Sequence, residues 1–188
     1  VESEGSYVKQ SGGRGHFGKV ILRVEPLQPG EGFVFATDVK GGEIPQEYFS
    51  SVQKGVEDAM KTGVLGAYPV IDIAVTLLGG AFHEVDSNDQ AFRIAASIGL
   101  KNALRKARPI LKEPIMKVEI DVPEEFVGNV MQDISSRRGR LAEMESVAGA
   151  RRVVAAMVPL SEMFGYSTVI RNCTQGRGNF SMEFHSYQ

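Results

Sequence analysis

Gly13, Gly15 and Gly18 stand at the G-x-G-x-x-G spacing, and Gly13 with Gly18-Lys19 also fits G-x-x-x-x-G-K. Either spacing cradles phosphate only when a strand enters the loop and a helix N-terminus leaves it, so that N–H groups converge on the anion. Here a β-branched alternation follows instead, Val20-Ile21-Leu22-Arg23-Val24. Val20 also occupies the place where a Ser or Thr would ligate Mg²⁺. A nucleotide-binding enzyme using Gly13 to Lys19 is therefore the weaker reading. A plain glycine turn explains the glycines but not Arg14, His16 and Lys19 placed among them. Bare backbone flanked by cationic side chains can approach phosphate oxygens closely, and RNA contact suits that mixture.

His83-Glu84-Val85-Asp86-Ser87 begins like a zinc-protease helix, but Ser87 stands where the second His of H-E-x-x-H is required. His16, His83 and His185 with the serines are loose ingredients of a triad, but no G-x-S-x-G elbow accompanies them. No catalytic residue and no metal site is expected. His83 reads first as a surface histidine between a strand and a helix, and a histidine at a loop tip can donate to, or stack on, unpaired bases. Arg137-Arg138-Gly139-Arg140 and Gln175-Gly176-Arg177-Gly178 are short basic turns, for which helix capping and a solvated hairpin are the simplest accounts.

The chain has 188 residues, 43% hydrophobic and 23% charged, which excludes disorder and collagen-like repetition. Its formal net charge is −2, with both halves near neutrality, so binding to nucleic acid must come from local patches. A single cysteine, Cys173, precludes an intramolecular disulfide and argues against a cysteine-based zinc site. No apolar run approaches the roughly 20 residues that span a bilayer, so no membrane association is expected. Beginning at Val1 without an initiator Met, the chain reads as processed or as a piece of something longer.

The elements that must carry these residues follow from periodicity. Gly18 to Val24, Phe33 to Phe35 and Val70 to Leu77 read as strands. Phe49, Val52, Val56 and Ala59 form one helical stripe after Pro45, and Phe92, Ala95, Gly99 and Ala103 form another after a capping box at Ser87 and Gln90. From Lys112 a second unit begins: a strand through Met116 to Val122, a helix through Phe126 to Ile134 closed by Arg137, Arg138 and a C′ glycine at Gly139, strands at Leu141 to Val147 and Arg152 to Val158, a short helix from Pro159 through Phe164, and a strand at Asn179 to Phe184. That order is βαββαβ, the ferredoxin-like arrangement. The expected class is α+β, with a mixed sheet and two helices in residues 1–111 and a ferredoxin-like unit in residues 112–188.

Several runs together resemble bacterial-type elongation factor G, the ribosomal translocase. Gln10 to Gly18, Val24-Glu25-Pro26-Leu27, Gly41-Gly42-Glu43-Ile44-Pro45, Val52-Gln53-Lys54-Gly55 and Phe82 to Ser87 are similar to its fourth domain, a ribosomal-protein-like α/β fold. Glu113-Pro114-Ile115-Met116, Arg137-Arg138-Gly139, Pro159 to Tyr166 and Thr174 to Gly178 are similar to its fifth. The resemblance implies a non-enzymatic C-terminal part of a translational GTPase, with GTP and Mg²⁺ bound in a G domain outside this chain and no cofactor within it. It implies that the tip of the first unit (Gly12, Gly13, Arg14, Gly15, His16, Phe17, His83, Glu84, Asp86 and Ser87) enters the decoding site and meets the tRNA–mRNA duplex. It assigns contact with large-subunit RNA to Arg137, Arg138 and Arg177. A monomer that binds the ribosome, in the cytoplasm or an organellar matrix, is the expectation. His16-Phe17 and Asn88-Asp89 depart from the commonest members, which leaves a paralogue serving ribosome recycling as the alternative.

Overall fold

The computed structural model describes residues 1–188 apart from Ser11, Gly12 and Arg14. The chain forms two compact units, Val1–Leu111 and Lys112–Gln188.

In the first unit, strands β1 (Glu2–Lys9), β2 (His16–Pro26), β3 (Phe33–Thr37) and β4 (Ile73–Ala81) make a sheet of order β1-β2-β4-β3. β3 runs parallel to β4, and the other pairs are antiparallel. The crossover between β3 and β4 is helix α1 (Phe49–Thr62), and α2 (Asp89–Ala107) follows β4. Alternation puts Val20, Leu22 and Val24 of β2 with Ile73, Val75 and Leu77 of β4 on the face the helices cover. There they meet Val52, Val56 and Ala59 of α1 and Phe92, Ala95, Ala96, Leu100 and Ala103 of α2. Each fully buried Val, Leu or Phe contributes about 1.5–3 kcal/mol, which is what fixes the register. The opposite face is solvated and carries the cross-strand pairs Lys19–Glu4 and Arg23–Glu2, both at 2.9 Å.

β1 is a strand that the polar composition of Glu2 to Lys9 does not predict. Its reason is a close approach: a Cβ on Gly5 would strike the backbone of Ala95 and Gly99, so only glycine lets this edge strand seat on α2. Pro45 opens a 3-10 turn (Gln46–Tyr48) rather than α1 itself. β4 begins at Ile73 rather than Val70 and runs through Gly79 and Gly80 to Ala81, because a bulge at Ile21/Leu22 lets Gly79 to Ala81 keep pairing with Lys19 to Ile21.

The second unit is an antiparallel sheet of order β6-β7-β5-β8, from β5 (Pro114–Pro123), β6 (Arg140–Val147), β7 (Arg151–Pro159) and β8 (Asn179–Tyr187). Helices α3 (Val127–Ser136) and α4 (Tyr166–Cys173) cover one face. Val118, Ile120, Val122, Val154, Ala156 and Val158 meet Val130, Ile134, Tyr166 and Ile170 there. The molecule is thus α+β, with a mixed four-stranded sheet under two helices followed by an antiparallel βαββαβ sheet.

Two local expectations are corrected in this unit. α4 begins at Tyr166, not Pro159: Leu160–Glu162 is a 3-10 turn, and Gly165 takes a left-handed φ of 74° that separates it from the helix. Phe164 is consequently 78% exposed rather than part of a buried stripe. At the end of α3 the left-handed residue is Arg138 (φ 57°), not Gly139. Gly139 is needed for proximity instead, since a Cβ there would press on Ile134 and Val158.

Candidate nucleic-acid interface

β2 and β4 are antiparallel and β3 is parallel to β4, so the segment before β2 and the segments after β3 and β4 leave the sheet at one end. The β1–β2 and β4–α2 segments are joined there by direct hydrogen bonds. The Gly15 N–H donates to Asp86 Oδ1 at 3.0 Å, and the Phe17 N–H donates to the Asp86 carbonyl at 2.8 Å. Ser87 Oγ donates to the Phe17 carbonyl at 2.9 Å and accepts from the His83 N–H at 2.8 Å. Phe17 and Ser87 also form an isolated parallel bridge.

Ser87 therefore does not cap α2. It is 4% exposed, and its hydroxyl is committed to the two segments it ties together. The cap is Asn88, whose Oδ1 accepts the Ala91 N–H at 2.9 Å. Asn88 Nδ2 meanwhile donates to His16 Nδ1 at 3.0 Å, so one side chain both starts the helix and holds a tip histidine. Tyr48 Oη donates to the Ser87 carbonyl at 3.4 Å, bringing in the turn before α1.

Gly15, His16, Phe17, His83, Asp86 and Ser87 are thus gathered at one extremity of the unit. Glu84 lies exposed in the same turn, Gly13 is exposed beside them, and Gly12 and Arg14 lie outside the described residues. Gly15 leaves little room for a side chain, because a Cβ there would stand 3.0 Å from Asp86 Cγ and the carboxylate would have to shift. His83 remains largely accessible, its side chain 56% exposed. Asn88 and Tyr48 belong to this network, although only the N-cap preference for Asn could have signalled the first in the sequence. The segment after β3 shares this end: Gly41 and Gly42 are left-handed (φ 67° and 73°), and Glu43 anchors the segment by accepting the Gly80 N–H at 3.2 Å.

The nucleotide alternative meets the wrong geometry. Strand β2 follows the glycines, so the loop does not lead into a helix N-terminus, and the first turn of α2 packs closely on Gly18 at Ala91 and Phe92. A shallow groove of about 690 Å³ lies between α1 and α2, lined by Lys54, Asp58, Asp89 and Arg93 rather than by Gly13, Gly15 or Lys19. No group of three or more metal-ligating side chains occurs among the described residues.

The three arginines of the second unit sit in a different environment. Arg137 donates to Asp133 Oδ2 at 2.8 Å and to the Glu162 carbonyl, and its guanidinium lies 4.9 Å from the Tyr166 ring centroid. Its side chain is only 16% exposed. Arg138 forks onto Glu113 at 2.6 and 3.0 Å and reaches Glu162 at 3.0 Å. That guanidinium holds the Glu113 carboxyl below its ordinary range, and the carboxylates in turn push Arg138 further up. Arg177 pairs with Glu125 at 2.6 Å and lies 4.7 Å over the Phe126 ring. All three form ion pairs within the unit.

The chain is thus an α/β unit whose β1–β2 and β4–α2 segments are tied together at one extremity by Asp86 and Ser87, followed by a ferredoxin-like unit. Two family comparisons cover the chain: "Elongation factor G, domain IV" matches residues 1–108, and "Elongation factor G C-terminus" matches residues 110–188. The chain belongs to the elongation factor G family. A crystal structure of a protein from Thermus thermophilus is similar over 99% of this chain, with 41% identity and a TM-score of 0.92. The chain spans 28% of the length of that protein. No helix among the described residues is long and apolar enough to cross a membrane.

Proposed function

We propose that this chain is the ribosome-engaging arm of a translational GTPase that drives translocation of tRNA and mRNA. The locked extremity formed by Gly15 to Phe17 and His83 to Ser87 enters the decoding site. The observation that carries this reading is the pair of cross-links through Asp86 and Ser87 in a member of the elongation factor G family. A pointed surface can bias a macromolecular equilibrium only by binding the advanced state better than the starting state. Stiffness matters because a loose loop loses that difference to its own ordering entropy. The chemistry of GTP hydrolysis belongs to the G domain of the parent protein, and this arm supplies differential contacts. Arg138 and Arg177, half-exposed beside their carboxylates, are the candidates for contact with large-subunit RNA, with the more buried Arg137 sharing the Glu162 turn with Arg138.

In a full-length factor carrying this chain, His83→Ala should slow translocation by about tenfold or more, the size of a lost charge-assisted hydrogen bond. GTP hydrolysis on the ribosome should change by less than about twofold. Equal loss of both rates would refute the assignment. The same variant assayed in ribosome recycling tells a recycling paralogue from a translocase, since only the step the tip serves should slow.

A further inference from the structure

Between Asp89 and Glu113 the sequence holds no carboxylate, yet it carries Arg93, Lys101, Arg105, Lys106, Arg108 and Lys112. Among the described residues only Arg93 of these forms an ion pair, with Asp58 of α1. Lys101, Arg105, Lys106 and Arg108 gather on the last two turns of α2 and its C-cap. The strand packed against that helix does not neutralise them. Glu2 and Glu4 of β1 pair with Arg23 and Lys19 on the sheet face away from the helices. Only their backbone carbonyls meet α2, through Lys106 Nζ at 3.5 Å and Asn102 Nδ2 at 3.2 Å. The flanking acids are occupied too, Asp89 by Ser51 Oγ at 2.6 Å and Glu113 by Arg138.

Lys101 and Arg105 stand about one turn apart on the side of α2 that Leu100, Ala103 and Leu104 do not bury. Arg108 follows at the C-cap, where a left-handed φ of 53° ends the helix. Arg105, Lys106 and Arg108 are exposed and Lys101 is half-buried. The helix macrodipole favours cations only in the last turn, which accounts for Arg105 and Lys106 but not for Lys101. Four uncancelled charges in so short a stretch concentrate a positive field on a chain whose net charge is −2.

We propose that Lys101, Arg105 and Arg108 form a docking stripe for the sugar–phosphate backbone of structured RNA, a second foothold separate from the extremity. The stripe lies roughly 18–28 Å along α2 from the capped end of the helix. Two forked guanidinium groups and an ammonium grip phosphate oxygens without reading bases. The choice of RNA over an acidic protein rests on the function proposed above, whereas the uncancelled charge rests only on the fold. Backbone contacts carry no sequence information, so the stripe anchors the arm and leaves discrimination between ribosomal states to the extremity. Such uniform binding lowers the concentration of factor needed and does not raise the saturating rate.

Salt titration of the 188-residue chain binding to a double-stranded RNA hairpin, with polyglutamate as the competing acidic chain, tests the stripe. The combined variant Lys101→Gln, Arg105→Gln, Arg108→Gln should lower the slope of log K against log salt by about 2–3, close to one released counterion per cation. Lys54→Gln with Arg140→Gln and Arg171→Gln removes the same charge from scattered positions and should lower the slope by less than about 1. Equal changes in the two variants, or tighter binding of polyglutamate than of RNA, would overturn the proposal. In a full-length factor the stripe variant should raise the concentration giving half-maximal translocation about tenfold and keep the saturating rate within about twofold. A lower saturating rate at an unchanged half-maximal concentration would overturn the anchoring role. An unchanged rate in His83→Ala would instead sink the decoding-site reading, and the RNA titration would still report on the stripe.

Discussion

The extremity of the first unit and the arginines of the second, Arg137 and Arg138 at one end of β5 and Arg177 at the other, are polar groups that the sequence singles out, yet they are engaged in opposite ways. At the extremity, Asp86, Ser87 and Asn88 are engaged by backbone N–H and carbonyl groups, while the His83 side chain stays 56% exposed. In the second unit the conspicuous side chains are themselves engaged: Arg137 by Asp133, Arg138 by Glu113 and Glu162, Arg177 by Glu125. A run of basic letters therefore need not mark free charge, because the carboxylates that engage it lie in other elements. The arginines spend their charge on carboxylates of other elements, whereas the extremity uses short polar side chains to tie two segments of backbone together.

On that contrast, Arg137→Ala should be chiefly a stability change, costing the second unit about 2–3 kcal/mol by removing a mostly buried pair and its packing on Tyr166. Denaturant unfolding followed by a probe in that unit reads this, and loss of ribosome affinity at unchanged stability would break the comparison. Ser87→Ala should cost about 1–2 kcal/mol in the first unit, because the Phe17 carbonyl and the His83 N–H lose their shared partner.

Arg138→Gln should leave stability at neutral pH nearly unchanged, as befits an exposed pair screened by solvent. The smallest effect is in acid. Glu113 is held below its ordinary carboxyl value of 4.5 in the folded chain by Arg138, so its contribution is complete above that value and disappears as pH falls through the depressed one. Stability of Arg138→Gln should accordingly fall less steeply with acid below pH 4.5 than that of the parent. An unchanged slope would show that the pair does not form in solution.

Much of the architecture is legible in local pattern. The stripes through Val52 and Val56, and the alternation through Val118, Ile120 and Val122, report a buried face without knowledge of what covers it. What escapes local pattern is set by distant partners. β1 is a strand because Gly5 nests against Gly99 of α2, a contact between residues far apart in sequence. Ser87 resembles a cap because the spacing to Gln90 is right, but its hydroxyl is claimed by Phe17 from another loop, and Asn88 takes over. Gly139 resembles the left-handed residue because glycine usually is, whereas the crowding of Ile134 and Val158 reserves it for closeness and passes the positive φ to Arg138. The basic turns show in sequence, but the carboxylates that neutralise them lie in other elements and do not.

The central claim is that the two loops behave as one body, and amide hydrogen exchange at Gly15 and Phe17 tests it most directly. Both amides should be protected in the unaltered chain. Asp86→Ala should free Gly15, whose acceptor is the lost carboxylate, while Phe17, bonded to the carbonyl of the same residue, stays protected. Exchange of both amides at the rate of an unstructured peptide in the unaltered chain would contradict the account.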